Sequence, residues 1–98
     1  MVIQFVTRTF EKKCELVAFE KFFLKSWKNL IKKVPNCKLK ILRENNSSFT
    51  FNALWEFPNN DCQIRVMDLI KINNKNFDGI ITNKTRNFSG KIIKEYLS

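Results

Sequence analysis

The sequence predicts an α+β fold: one domain built on a mainly antiparallel sheet, with two helices packed on one face. Three observations carry this. The chain opens on alternating residues, an apolar run at steps of three and four follows from Leu16, and two more alternating segments precede a second run of helical character. The predicted order is strand, helix, strand, strand, helix, strand, strand, within a single domain over residues 1–98. A chain of 98 residues has room for one modest core, and at 44% hydrophobic and 13% aromatic it is too apolar for a disordered tail.

Residues 2–8 form the first predicted strand. Ile3, Phe5 and Thr7 point one way, and Val2, Gln4 and Val6 the other. The polar "RTFEKKCE" then separates it from the first helix. Leu16, Phe19, Phe23, Trp27, Leu30 and Val34 fall on one stripe of that helix, with Lys21, Lys25, Lys28 and Lys32 on the opposite side. The apolar stripe is expected to bury against a sheet and the lysines to stand in water. Pro35 stops the helix, since it cannot donate the next hydrogen bond.

In "CKLKILR", Cys37, Leu39 and Ile41 alternate with Lys38 and Lys40, which reads as a half-buried strand with a basic outer face. "ENNSS" is a turn. In "FTFNALWEF", Phe49, Phe51, Ala53, Trp55 and Phe57 share one face, a strand signal of good quality that completes a hairpin. Pro58 ends it. "NND" caps a short second helix from about Cys62 to Ile72, with Ile64, Met67 and Ile70 or Lys71 inward, and "NNKN" breaks that helix. "FDGIIT" and "NFSGKIIKEYL" are read as two last strands around the turn "NKTR".

The chemistry is marked by what is missing. There is no histidine, hence no ordinary triad and no usual base near neutral pH. There is no glycine-rich phosphate loop. Cys14, Cys37 and Cys62 are odd in number and far apart in sequence, which fits neither a zinc site nor a disulfide framework. Cys14 beside Lys12 and Lys13 lacks a base partner. The expectation is a non-enzyme with no cofactor, no metal and no small-molecule substrate. The sequons at Asn46, Asn83 and Asn87 are what an asparagine-rich chain yields by chance. The sequence offers neither a membrane span nor a signal layout, so a cytoplasmic protein with no membrane partner is expected.

The formal net charge is +9, from 18 basic and 9 acidic residues. Such an excess points to a polyanion. Lysine, asparagine, isoleucine and phenylalanine are heavily used while alanine and glycine are scarce, a bias that raises lysine independently of any partner. The basic groups recur at Arg8, Lys12 and Lys13, along the first helix to Lys33, at Lys38, Lys40 and Arg43, at Lys71 and Lys75, and at Lys84, Arg86, Lys91 and Lys94. Lysine outnumbers arginine, which favours contact with phosphates over reading of bases. An RNA recognition motif has a similar order of elements, but "SSFTFNALWEF" lacks its basic-glycine-aromatic-glycine pattern.

In its order of elements the chain resembles the eukaryote-specific ribosomal protein 22 family of the large (60S) subunit. Ala18-Phe19-Glu20-Lys21-Phe22-Phe23 stands where that family has Asn-Phe-Glu-Gln-Phe-Leu. "WEFP" at 55–58 leads to Ile64-Arg65-Val66-Met67 at matching spacing, and Asn76-Phe77-Asp78-Gly79-Ile80-Ile81-Thr82-Asn83 aligns without a gap. Exact identities are confined to Phe19, Glu20, Phe22, Arg43, Glu56, Pro58 and Asn83. Asp61, Cys62, Leu69 and Ile70 occupy places where the family is basic, and Phe77 stands for its tryptophan. The resemblance implies a divergent, compacted member: a structural constituent of the large ribosomal subunit, a ribonucleoprotein component of translation in the cytoplasm. Its partners would be ribosomal RNA and neighbouring large-subunit proteins. Lys12, Lys13, Lys32, Lys33, Lys38, Lys40, Arg43, Arg65, Lys71 and Lys75 are the expected RNA contacts. Phe19, Phe23, Trp27, Phe51 and Trp55 are expected in the core. The competing expectations, outside the ribosome, are an RNA-recognition-motif-like module and a protein-interaction module whose lysines only keep it soluble.

Overall fold

The computed structural model of the chain describes residues 1–44, 49–78 and 83–98. In chain order its elements are β1 (Val2–Phe10), α1 (Lys13–Leu30), a 3-10 turn (Ile31–Lys33), β2 (Lys38–Leu42), β3 (Thr50–Phe57), α2 (Asn60–Asp78) and β4 (Asn83–Lys91). The four strands form one sheet in the order β2-β3-β1-β4, and every neighbouring pair is antiparallel. Both helices lie on the same side of it. The α+β class is therefore as the sequence indicates.

Alternation decides which side each strand residue faces. Val2, Gln4 and Phe10 of β1, and Phe51, Ala53, Trp55 and Phe57 of β3, are buried beneath the helices. The stripe read from the sequence closes over them: Leu16, Phe19, Phe23 and Trp27 are the buried residues of α1. Phe23 meets Phe51 at 4.8 Å between ring centroids, Phe19 meets Phe51 edge-on at 5.1 Å, and Trp27 meets Trp55 edge-on at 4.9 Å. The five aromatics expected in the core are all there. Lys21, Lys25, Lys28 and Lys32 are exposed, as the helical spacing requires.

The start of α1 is fixed by the Glu15 carboxylate, which accepts from the Lys12 backbone N–H at 3.1 Å. Its end tightens into the 3-10 turn before Pro35, and Asn36 takes a positive φ of 65° to redirect the chain into β2.

Three expectations are corrected. The second helix does not stop at "NNKN" but runs from Asn60 to Asp78, through Asn73, Asn74, Lys75 and Asn76. Asparagine is only a weak helix former, and here an inward stripe of Cys62, Val66, Ile70 and Asn74 carries the helix past it. Ile64, expected inward, is 60% exposed, while Val66 is fully buried. Finally, "NKTR" is not a turn. Asn83–Arg86 begin β4, and Phe77 and Asp78 of the expected fourth strand belong to α2, so the described residues form four strands where five were read. Gly79, Ile80, Ile81 and Thr82 lie outside the described residues.

Candidate small-molecule cavity

Between α2 and the sheet lies a cavity of about 390 Å³. Its origin is legible in the strand register. Gln4 pairs with Trp55, Val6 with Ala53, and Arg8 with Phe51 across β1 and β3. The middle row carries two small side chains between two rows of large ones, so the sheet has a hollow beneath the helix. The floor is Val6, Ala53, Phe51 and Trp55, and Met67 and Ile70 of α2 form the roof.

One end of the hollow is closed by hydrogen bonds. Gln63 Nε2 donates to Gln4 Oε1 and to Ser89 Oγ, each at 2.8 Å, and Gln4 Nε2 donates to Asn87 Oδ1 at 3.2 Å. The helix start above this end is capped by Asn59, whose Oδ1 accepts from the Cys62 N–H at 2.9 Å. These bonds hold the first turn of α2 to β1 and β4.

The other end is open to chemistry. Arg8 pairs across β4 with Thr85, and both line the cavity together with Lys71 and Asn74. The Arg8 guanidinium carbon sits 4.9 Å from the centre of the Phe19 ring. Asn74 is 1% exposed, and among the described residues neither its amide nitrogen nor its amide oxygen has a hydrogen-bond partner, as is also true of Trp27 Nε1 and Asn73 Nδ2. A buried amide left unpaired is costly, and natural folds rarely keep one without use. The sequence places Gln4 in the first strand and counts Arg8 among the basic groups, but assigns neither of them, nor Asn74, to a site. Extending the same alternation from Gln4 and Val6 places Arg8 on the inward side, and continuing the Cys62, Val66, Ile70 stripe by one more turn places Asn74.

The residues expected to contact RNA are dispersed. Lys12 and Lys13 stand at the start of α1, and Lys32 and Lys33 in the turn that follows it. Lys38 and Lys40 lie on the sheet face away from the helices, whereas Arg65, Lys71 and Lys75 belong to α2 on the opposite side. Arg43 is engaged in an ion pair with Glu20. Of this set, Lys71 reaches the cavity. Cys37 and Cys62 are neighbours at the edge of the core. Burial pushes the Cys37 thiol up from its ordinary value, Cys62 adds to this, and Arg65 opposes it.

The helix-free face of the sheet is apolar at its centre. Phe5 stands opposite Leu54 on one side and Phe88 on the other, and Phe88 is 66% exposed. Ile3 and Leu42 extend this patch, with Lys38, Lys40, Lys84 and Arg86 around it.

No family model matches the sequence, and no curated protein matches it. Solved structures do match the fold. A dimeric ferredoxin-like protein from an uncultured marine organism superposes with a TM-score of 0.81 at 16% identity, covering 99% of this chain and 98% of that one. A proposed antibiotic biosynthesis monooxygenase from Caulobacter crescentus CB15 follows at 0.76 and 14%, covering 95% and 91%. SnoaB, a cofactor-independent oxygenase from Streptomyces nogalater, solved as a point mutant, gives 0.61 and 16%, covering 96% and 98%. At these identities the likeness establishes a ferredoxin-like fold.

The ribosomal resemblance is overturned by these neighbours, and with it the 60S constituent, the ribosomal RNA and the ribosomal-protein partners. Its matched segments include core positions. Phe19, Trp55 and Phe57 are fully buried, so any sheet with two helices in this order calls for residues of their kind. Of the gapless match at 76–83, residues 76–78 lie in α2 and Asn83 opens β4. Some proteins that share this fold are described as oxygenases, so the fold by itself does not support the non-enzyme expectation.

Proposed function

We propose that this chain is a self-associating, small-molecule-transforming protein of the monooxygenase-like ferredoxin type, with its ligand site between α2 and the sheet. The observation that carries the reading is Asn74: an amide buried to 1% exposure with both polar atoms unpaired among the described residues, at the wall of a 390 Å³ cavity. A volume of that order is typical of ligand pockets, as is an apolar lining with a few convergent polar groups. A ligand that bonds the Asn74 amide would remove its desolvation penalty.

The second part of the reading concerns the helix-free face. The row Leu54–Phe5–Phe88, flanked by Ile3 and Leu42, is a contiguous apolar surface that a second copy would cover face to face. The dimeric ferredoxin-like neighbour supports that occupant.

The oxygenase part follows from the neighbours described as monooxygenase or oxygenase. If the chain works without a cofactor, the bound molecule must itself supply the electrons that reduce dioxygen. A phenol with a free para position and one O₂ then yield a quinone and one water, the phenol giving up the electrons.

Calorimetric titration with planar aromatic probes tests the site. Binding to the native chain is expected, and Ala53→Phe, which fills the middle row, is expected to abolish it. Binding that survives Ala53→Phe would overturn the cavity reading. Oxygen uptake with a panel of electron-rich phenols tests the chemistry. Uptake stopped by Ala53→Phe is expected, and probes that bind with no uptake across the panel would overturn the oxygenase part.

A further inference from the structure

The three cysteines lie far apart in the sequence, and the fold brings two of them together. Cys37 directly precedes β2, the edge strand, where the positive φ of Asn36 redirects the chain. Cys62 lies in the first turn of α2, where the Asn59 side chain caps its N–H. Both are half-buried and pack against the same core cluster. The Cys37 sulfur is 3.7 Å from the Pro35 carbonyl oxygen and in hydrogen-bond contact with the Cys62 side chain. Arg65, one turn along α2 from Cys62, is close enough to act on the pair. Cys14 is exposed on the first turn of α1.

Two thiols in contact admit few uses. A structural zinc site takes four ligands, and the described residues hold no cluster of three or more histidine, cysteine or acidic side chains. A touching pair can instead close into a disulfide, given an oxidant that reaches the sulfurs. Their partial exposure gives a small peroxide that access.

We propose that Cys37 and Cys62 are a peroxide-sensitive dithiol that closes reversibly into a disulfide between the edge of the sheet and the start of α2. The Cys62 thiolate attacks a peroxide oxygen, the O–O bond breaks, one water leaves and Cys62 becomes a sulfenic acid. The Cys37 sulfur then attacks the Cys62 sulfur. The S–O bond breaks, the S–S bond forms, and a second water carries off the Cys37 proton. The two thiols together lose two electrons, and one hydrogen peroxide is reduced to two waters. Cys62 acts first because the opening turn of a helix favours negative charge, whereas burial keeps the Cys37 proton in place. Cys62 adjoins Gln63, so the bridge ties the start of α2 to β2 beside its existing bonds to β1 and β4. The dithiol and the cavity stand or fall separately.

The test treats the reduced full chain, under native conditions, with a small molar excess of hydrogen peroxide, followed by alkylation and peptide mapping by mass spectrometry. A Cys37–Cys62 cross-link is expected, with Cys14 still alkylated, and dithiothreitol is expected to reverse it. The bridged chain is expected to melt at least about 5 °C above the reduced one. In Cys37→Ser, dimedone is expected to trap a sulfenic acid on Cys62. Oxidation that leaves Cys37 and Cys62 unbridged, joins either to Cys14 or to a second chain, or carries both on to sulfinic acids overturns the inference. A bridge that fails to raise the melting temperature also overturns it, since the fold would then not be preset for the bond. A Cys37→Ser chain with no adduct on Cys62 overturns the peroxide step as written.

Discussion

Gln63 Nε2 donates to Gln4 Oε1 at 2.8 Å, joining the first turn of α2 to an inward position of β1. The same nitrogen donates to Ser89 Oγ, so one side chain ties the helix to the two strands it covers. This bond defines the closed end of the cavity. Beyond it the helix stands off the sheet because Val6 and Ala53 are small.

Breaking that tie has a calculable cost. Gln63→Ala leaves the half of the Gln4 amide that it served unpaired at a buried position, and about 1–2 kcal/mol of stability is expected to be lost. Urea denaturation followed by tryptophan fluorescence measures it. A variant as stable as the parent would show that α2 is held by its apolar stripe alone.

Asn74→Leu should act in the opposite direction. Replacing a buried amide without partners by an apolar group of similar size is expected to stabilise the empty protein by about 1–2 kcal/mol. The same substitution is expected to weaken binding of planar aromatic probes at least about tenfold. Stability gained together with affinity lost is the signature of a polar group kept for a ligand. Denaturation and calorimetry on one variant read both.

Phe88→Asp places a charge at the centre of the helix-free face. Phe88 is 66% exposed in the isolated chain, so the fold of the single copy is expected to survive. Sedimentation velocity is expected to show a dimer for the parent and a monomer for the variant. A dimer that persists would move the interface elsewhere.

The thiols should separate by reaction rate. Cys14 is exposed, whereas burial and the neighbouring Cys62 hold the Cys37 thiol above its ordinary range. Alkylation followed by mass spectrometry is expected to label Cys14 first, and Cys37 to gain reactivity only at higher pH than a free cysteine. The sign for stability follows. A group whose ionisation is pushed up in the fold contributes fully below the unfolded thiol's value, and that contribution falls as pH rises through the folded one.

Most of the fold was legible because its signals are strong and periodic. The stripe Leu16, Phe19, Phe23, Trp27 and the face Phe51, Ala53, Trp55, Phe57 each fit one geometry, and together they build the core. The second helix was misread because its inward stripe is partly polar: Cys62, Gln63 and Asn74 do not register as apolar, so Ile64 was turned inward in place of Val66. The cavity was invisible for a related reason. It depends on Ala53 and Val6 standing side by side on adjacent strands, and only the register between β1 and β3 places them there. The abundant lysines point to the surface, yet the buried polar groups Gln4 and Asn74, with Arg8, line the cavity.

The most direct test of the cavity as the ligand site is the Asn74 side-chain amide resonance in a ¹⁵N-correlated NMR spectrum, identified by its loss in Asn74→Leu, during titration with 2-naphthoate. Saturable movement of that resonance, together with those of Gln4 and Asn87, is the predicted result. A bound naphthoate that leaves Asn74 unmoved and shifts residues of the helix-free face instead would contradict it.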